Sequence, residues 1–198
     1  QNEYASFTPE TIHLVYAGTL APATDKVSPY NLLDQIKNIC SQQIYFHLYF
    51  NPFNQTGYKE YREFAEQNDY FHFHKPLPNK KLIKETAGFH FNLKIPTKFN
   101  PTHSKIKRKT ATGTKMFTGF EAGLPFIVDD TLEFEADLVR KYEIGIVINH
   151  DADISNLRKI IESCNYEGMK ENVLEVRENE LSMSKNIHRW ISFHETLS

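Results

Sequence analysis

The sequence predicts an α/β protein with a Rossmann-like, doubly wound and mostly parallel sheet of six strands. Short apolar runs alternate along most of the chain with amphipathic segments of helical period. That alternation is typical of a parallel sheet covered by helices on both faces. The 198 residues, 40% of them hydrophobic, are enough for one core of ordinary size. We therefore expect a single Rossmann-like unit with its C-terminal helices packed alongside the sheet.

Three segments are expected in this unit. Residues 1–11 are polar and contain Pro9, which predicts a linker or an arriving segment. Residues 12–181 carry the alternating pattern of the Rossmann-like domain, and residues 182–198 form a C-terminal helix of the same unit. Because the chain begins with Gln1 and not with Met, we expect it to be a piece of a longer protein.

Composition argues against several partners. The formal net charge is -2, so no global field draws the chain toward nucleic acid or an anionic membrane. No apolar run approaches the ~20 residues that span a bilayer, and no signal peptide is expected. Cys40 and Cys164 lie far apart without metal-ligand spacing, which predicts reduced thiols and a cytoplasmic protein.

The strands and helices follow from the hydrophobic period. Ser28 and Pro29 are expected to open the first helix as its N-cap and first helical residue, and Asn79 to cap a later one. The first strand is expected to end in a tight turn at Ala17-Gly18-Thr19. The expected strands are 12–16, 44–50, 70–74, 88–93, 126–128 and 144–148; the expected helices after the first are 58–67, 79–86, one opening near 114, and 132–142, 151–164, 167–181 and 184–197.

One stretch, 114–130, joins charge, small residues and a buried strand more closely than any other. It reads TKMFTGFEAGLPFIVDD, and Lys115 falls in the first turn of its helix. A helix start offers unpaired N–H groups and partial positive charge, so with the lysine it is a candidate pyrophosphate cradle. An exposed lysine on an ordinary helix is the alternative. The triplet GTK at 113–115 is not a P-loop, since the first glycine of that motif is missing.

Other polar features allow more than one interpretation. The basic run KIKRK at 105–109 lies in a long loop, and can be a phosphate clamp, a patch for an acidic partner or a solvated loop. His72 and His74 share one strand face, but no acid or cysteine completes a metal site at ligand spacing, and no metal is expected. Asp129 and Asp130 at a strand end are interpreted as turn-forming acids.

The segment 115–127, KMFTGFEAGLPFI, resembles a signature of the C-terminal domain of GT-B-type glycosyltransferases, group 1-like. That signature is a lysine followed by F-E-Y, small residues and G-x-P-V-I. IHLVYAGTL at 12–20 resembles the first strand and glycine-containing turn of the same domain. The segments YFHFHKPLPNKKLIKETAGFHFNL and DLVRKYEIGIVI resemble its later strands and helices, so the likeness spans roughly residues 12–150.

The resemblance implies a nucleotide-sugar site, such as one for a UDP-sugar used in polysaccharide biosynthesis. Thr114 and Lys115 would face the donor's phosphates, Gly18 and Thr19 would let the backbone approach it, and His74 would lie in the loop at the base. Thr118 occupies the position of a ribose-binding glutamate, and Glu121 is a possible substitute. Such enzymes need no cofactor or bound metal, and the catalytic base comes from an N-terminal acceptor domain expected to be absent here.

Three functions remain compatible with the sequence and the resemblance. The first is the donor-binding half of a glycosyltransferase, which would be inactive alone. Thr118 in place of the glutamate also fits a glycosyltransferase-like module that binds partners without catalysis. A nucleotide-sugar epimerase of the GT-B class is a third interpretation. Contact of the full-length protein with a membrane surface stays open in each form.

Overall fold

The computed structural model describes residues 7–26, 28, 30–52, 57–95, 109–110 and 112–195. Six strands form one parallel sheet in this part of the chain. The strands are β1 (His13–Leu20), β2 (Tyr45–Pro52), β3 (Phe71–His74), β4 (Phe91–Lys94), β5 (Phe126–Asp129) and β6 (Gly145–Ile148). Their order in the sheet is β3-β2-β1-β4-β5-β6. The prediction of a Rossmann-like, doubly wound sheet is therefore confirmed.

Helices cover both faces of the sheet. They are α1 (Leu33–Ser41), α2 (Lys59–Gln67), α3 (Asn79–Thr86), α4 (Thr114–Ala122), α5 (Glu133–Tyr142), α6 (His150–Asp153), α7 (Leu157–Glu162), α8 (Tyr166–Asn179) and α9 (Met183–Glu195). One apolar cluster joins α1, α2 and α7 to one face of the sheet, and a second joins α4, α5 and α8 to β5 on the other. The expected inward face of α1, around Ile36 and Ile39, is fully buried.

The direction of winding reverses between β1 and β4. The chain first builds β1, β2 and β3 toward one edge, and then returns to place β4 on the other side of β1. The connections after β1 and β4 leave on opposite sides, so a crevice opens between the carboxyl ends of these strands. That crevice is where ligands bind in sheets of this topology.

The first strand is longer than predicted. The expected turn at Ala17-Gly18-Thr19 is wrong, because β1 continues through these residues to Leu20. Its pairing with β2 is unbroken, from His13 opposite Tyr45 to Leu20 opposite Pro52. Parallel pairing with a neighbour of equal length thus overrides the local turn signal of Gly18.

Two expected helix caps are also wrong. Ser28 does not cap α1, which begins at Leu33; its hydroxyl instead accepts the Tyr30 N–H at 3.2 Å in a local turn. Asn79 is the first residue of α3 and Pro78 precedes it as the N-cap. The first helix thus begins five residues after Ser28, whereas the later one already includes Asn79 in its first turn.

The helix expected at 151–164 is divided. Ile154–Asn156 forms a 3₁₀ turn between α6 and α7. Gln42 supplies the reason, since its side chain donates to the Ile154 carbonyl at 2.8 Å and accepts the Arg158 N–H at 3.0 Å. These tertiary hydrogen bonds replace intrahelical ones at the break.

The ends of the chain and the basic loop are only partly described. The run at 105–109 lies outside the described residues except for Lys109, which is exposed and lies 3.9 Å from Glu133. Phe7, within the segment expected to be a linker, stacks on Tyr166 with ring centroids 4.5 Å apart. The end of that segment therefore packs against the domain.

A row of imidazoles crosses the first three strands on one face of the sheet. His13 Nδ1 lies 2.9 Å from His47 Nε2, and His47 Nδ1 lies 3.1 Å from His74 Nε2. His72 stacks on His47 at 4.6 Å, which confirms that His72 and His74 share a face. A neutral imidazole has one donor and one acceptor nitrogen, so a hydrogen-bonded row of this kind suits uncharged rings.

Burial keeps these rings neutral. Together with a smaller effect of neighbouring imidazoles, it lowers the pKa of His13 and of His74 to about 4 and that of His47 to about 2. An unfolded histidine takes up its proton near pH 6.5. Between pH 6.5 and 4 the unfolded chain therefore binds more protons than the folded chain. Stability is complete above pH 6.5 and falls as the pH decreases.

We expect the free energy of unfolding to fall steeply below pH 6.5. Each buried imidazole contributes at most about 1.4 kcal/mol per pH unit. His47→Phe should reduce the slope by about that amount, since one proton-binding group is removed. Urea unfolding at a series of pH values from 7.5 to 5 measures this. His188→Ala, on the exposed face of α9, is the control, and an unaltered slope in His47→Phe would contradict the assignment.

Candidate functional site

A cavity of about 670 Å³ lies at the carboxyl edge of the sheet, where β1 and β2 end. Its walls come from the ends of these strands, from the segment after β3 with the start of α3, and from the first turns of α4. The residues lining it are Ala17, Gly18, Thr19, Tyr49, Phe50, Pro76, Leu77, Asn79, Leu82, Thr114, Lys115, Phe117, Thr118 and Glu121. Six of the seven residues predicted for the site are therefore together in one cavity.

The side chain of Lys115 lies directly across Gly18. A Cβ atom built on Gly18 would come within 1.9 Å of Lys115 Cε and 2.5 Å of its Nζ. Any side chain at position 18 would occupy the place of the lysine. The glycine at the end of β1 thus allows a residue far along the chain to lie on the strand end, which is a close approach and not a turn.

The side chain of Tyr16 holds the ammonium group of Lys115 in place. Lys115 Nζ donates to Tyr16 Oη at 2.5 Å and lies 4.1 Å from the centre of the ring. The tyrosine hydroxyl in turn donates to the carbonyl of Thr19 at 2.8 Å. Burial raises the pKa of Tyr16, so the phenol stays neutral and can keep this donor. The lysine is thereby held by a hydroxyl and an aromatic face.

Lys115 is a cation without an anionic contact in the described part of the chain. No described carboxylate lies within 4.0 Å of its Nζ. Burial, followed by the charge of Lys94, lowers the pKa of Lys115 to about 8, against the opposing effect of Glu135. A half-buried ammonium at the mouth of a crevice, beside the N-terminus of α4, is suited to receive a negatively charged group.

Behind Lys115 is a buried ion pair between Lys94 and Glu135. Lys94 is the last residue of β4, and Glu135 lies in the first turn of α5. Their side chains are 6% and 4% exposed. The same carboxylate oxygen accepts the hydroxyl of Thr112 at 3.0 Å and the N–H of Gly113 at 2.9 Å. This carboxylate therefore contacts the segment from which α4 begins.

The remaining predicted residues of α4 present polar groups to the cavity. Thr114 is exposed, and Thr118 donates its hydroxyl to the Thr114 carbonyl at 3.3 Å. The Thr118 hydroxyl is thus already used as a donor within its own helix, which leaves its oxygen to accept a hydrogen bond. Glu121 is exposed at the rim. Gly123 ends α4 in the left-handed conformation at φ 71°, which turns the chain into β5.

A second cavity of about 430 Å³ adjoins the first along α4. Phe117 and Glu121 line both. The second cavity is otherwise lined by Phe120, by Arg177, Glu178, Leu181 and Ser182 of α8 and its connection to α9, and by Lys185 of α9. Phe117 is 47% exposed between the two. The surface that continues beyond the main cavity is therefore an aromatic ring with charged residues around it.

His74 is the predicted residue that does not line the cavity. Its ring stacks on Tyr49 at 4.3 Å and its Nε2 contacts His47. Tyr49 is the residue that reaches the cavity at this place, together with Pro76 and Leu77 of the following segment. The loop after β3 therefore contributes to the cavity wall, whereas His74 packs against Tyr49 on the side away from the cavity.

The paired acids and the paired histidines singled out in the sequence have other contacts. Asp129 is buried and its carboxylate accepts the Thr131 N–H at 2.9 Å, so it forms a turn as predicted. Across the described residues, no cluster of three or more His, Cys, Asp or Glu side chains has an arrangement able to hold a metal ion. The residues present around the cavity offer a cation and a helix N-terminus, which suit an anion.

Sequence reasoning missed Tyr16, Lys94 and Glu135. Tyr16 falls within the expected apolar strand 12–16, and Lys94 directly follows the expected strand 88–93. One signal was available for Lys94, because a charged residue directly after a buried strand lies at the carboxyl edge of the sheet. Glu135 carries no such signal, since an acid in the first turn of a helix is common.

The fold is that of one half of a GT-B glycosyltransferase. Three solved structures superpose on most of this chain. WaaG, a glycosyltransferase involved in lipopolysaccharide biosynthesis, has a TM-score of 0.58 at 13% identity over 85% of this chain. The pneumococcal O-GlcNAc transferase GtfA, in complex with UDP and GlcNAc, has 0.63 at 14% over 94%. TarM has 0.55 at 14% over 97%.

The chain belongs to the family described as glucosyltransferase 3-like, C-terminal domain, whose sequence profile matches residues 37–185. No curated protein matches the sequence. The chain covers 43%, 36% and 37% of the WaaG, GtfA and TarM chains, respectively, so it spans about two-fifths of their length. No helix in the described ranges combines the length and apolar character needed to cross a membrane.

The site predicts an unusual titration for one lysine. In lysine-labelled protein, we expect the Cε resonance of Lys115 to titrate near pH 8, because burial and Lys94 disfavour its charged form. NMR spectra from pH 7 to about 11.5, beyond the ordinary lysine pKa, would show this, with Lys115→Arg identifying the resonance by its loss. Lys159→Arg, on the exposed surface of α7, serves as the control. A Lys115 midpoint at the ordinary value near 10.5 would contradict the described burial.

Proposed function

We propose that this chain is the donor-binding half of a glycosyltransferase that transfers a sugar from a nucleoside-diphosphate sugar to an acceptor hydroxyl. The observation that carries the proposal is Lys115, a half-buried ammonium that lies across Gly18 at the carboxyl end of β1, with no described carboxylate within 4.0 Å. A diphosphate is an anion of suitable size for this place. The family membership supports the reaction class.

The donor's parts correspond to different walls of the cavity. The diphosphate would bind at Lys115, Thr114 and the N-terminus of α4, with Gly18 and Thr19 allowing close approach of the strand end. The base would lie toward the loop after β3, against Pro76 and Leu77. The ribose would then lie near Thr118. A cavity of about 670 Å³ is within the usual range for a ligand of this size.

Thr118 and Glu121 divide the role that a single glutamate would have. Thr118 can accept one hydrogen bond from a ribose hydroxyl while it donates to Thr114. Glu121, one helical turn further, brings a carboxylate to the rim shared with the second cavity. We propose that the ribose is held mainly by the hydroxyl of Thr118, and that Glu121 faces the sugar.

The chemistry assigned to these residues is stabilisation of the leaving diphosphate. When the sugar–phosphate bond breaks, negative charge develops on the diphosphate, and a positioned ammonium with helix N–H groups stabilises it. Lys115 is already fixed by Tyr16, so little reorganisation is needed. The acceptor and the catalytic base would come from an N-terminal domain, and this chain alone would bind donor without turnover.

A second candidate is a glycosyltransferase-like module that has lost donor binding. The supporting observation is Thr118, which brings no carboxylate to the ribose position. Its hydroxyl donates a hydrogen bond to the Thr114 carbonyl of the same helix. Such a module would keep the fold and the cavity without a nucleotide ligand. Nucleotide binding by the full-length protein distinguishes the two candidates.

We expect Lys115→Ala to weaken nucleoside diphosphate binding about 10- to 100-fold, since a hydrogen bond to a charged group contributes about 1.5–3 kcal/mol. Calorimetry with UDP, GDP and ADP on the full-length protein measures the affinity. Lys159→Ala removes a lysine outside the cavity and is the matched control. Equal affinities in the two variants would refute the phosphate role, and an absence of binding in the wild type would favour the second candidate.

Gly18→Ala should weaken the same binding at least about fivefold, because the added methyl group displaces Lys115. The strand backbone at this position accepts alanine, so the unfolding temperature should change little. The double variant with Lys115→Ala tests the mechanism. In that background Gly18→Ala should have no further effect, because the side chain it displaces is already gone. Additive losses would show that Gly18 acts independently of the lysine.

A further inference from the structure

The buried pair Lys94–Glu135 lies behind the candidate phosphate site and has no place in the proposed chemistry. The two side chains are among the few charged groups in the core, at 6% and 4% exposed. Burying an ion pair is often no more stabilising than well-packed apolar residues would be. Stability alone therefore does not explain why a lysine and a glutamate meet at this point.

The hydrogen bonds of Glu135 point to the start of α4. One carboxylate oxygen receives Lys94, the hydroxyl of Thr112 and the N–H of Gly113. Gly113 is the N-cap residue of α4, and Thr114 and Lys115 follow it. A carboxylate from another element thus anchors the segment that places Lys115 across Gly18.

The two charges also act on Lys115 in opposite directions. Burial is the main cause of its lowered pKa; Lys94 disfavours its charged form further, and Glu135 favours it. The other groups that face the ammonium are the phenol of Tyr16 at 2.5 Å and the ring of Tyr30 at 5.9 Å. The phenol of Tyr16 is neutral, so the buried pair supplies the charges that influence this lysine from within the described core.

We infer that Lys94 and Glu135 are positioning residues that hold α4 against the sheet and set the charge of Lys115 for an anionic ligand. The inference depends on the proposed diphosphate site. Glu135 fixes the position of the helix start and favours the protonated lysine. Lys94 neutralises Glu135, so that the carboxylate does not compete with a phosphate for Lys115. Neither residue contacts the ligand.

Because Lys94 and Glu135 carry opposite charges, their removal is predicted to shift the pH midpoint of diphosphate binding in opposite directions. A diphosphate binds the protonated lysine, so affinity decreases as the pH rises through the pKa of Lys115 in the free protein, near 8. Glu135→Gln removes the favourable charge but keeps an acceptor for Gly113, and should move this midpoint to lower pH. Lys94→Met removes the unfavourable charge and should move it to higher pH.

The experiment measures the dissociation constant of UDP between pH 7 and 9 for the full-length protein and its variants. The expected shifts are at least about half a pH unit in opposite directions for the two single variants. The double variant Lys94→Met with Glu135→Gln should return to within about half a unit of the wild type, since both charges are removed. In Lys115→Arg the decrease should be absent, because arginine does not titrate in this range.

The outcomes separate the two levels of the proposal. If the pH midpoint of UDP binding in both single variants equals that of the wild type, or if both midpoints shift in the same direction, the positioning role is overturned while the diphosphate site stays intact. Binding that is independent of both pH and Lys115→Ala would overturn the site itself. Loss of a partner leaves a buried charge unpaired, and a single variant that does not fold for this reason gives no midpoint. The Lys115 Cε resonance in the double variant then decides, and a shift of a full unit from the wild type would contradict the inference.

Discussion

The site depends on the close contact between Lys115 and the end of β1. Two segments almost a hundred residues apart meet there, and the contact is possible only because position 18 carries no side chain. The rest of the architecture serves this contact. The strand order places β1 beside β4, the pairing with β2 extends β1 to Leu20, and α4 begins where its first turn overlies the strand end. A small displacement of α4 would separate the ammonium from the phenol of Tyr16.

The charges around this contact are arranged by depth. Lys94 and Glu135 are buried and paired, while Lys115 is nearer the cavity and contacts a neutral hydroxyl. In a region of low dielectric, a buried charge without a partner is costly, so the inner lysine requires its glutamate. The outer lysine can stay without a described carboxylate because Tyr16 and partial exposure to solvent stabilise it. This difference is what makes the outer position suitable for an exchangeable anion.

On the other side of the cavity, the sheet face is built from imidazoles in place of aliphatic side chains. His13, His47 and His74 form a hydrogen-bonded row, and the last of them supports Tyr49 at the cavity wall. Rings of this kind pack well only when neutral. The cavity wall at Tyr49 therefore depends on the same neutral imidazoles as the stability of the sheet, and we expect both to be intact at neutral pH.

The sequence by itself determined the class of fold and the six strands, and it singled out the stretch at 114–130 as one wall of the candidate site, because periodicity and composition are local properties. It also placed the lysine correctly in the first turn of α4. Tertiary structure decided the rest. The extension of β1 through Gly18 came from pairing with β2, and the break after α6 came from hydrogen bonds of Gln42. The pairing of Lys94 with Glu135, 41 residues apart, and the placement of His74 behind Tyr49 depend on which faces meet across the sheet, and no local pattern records that.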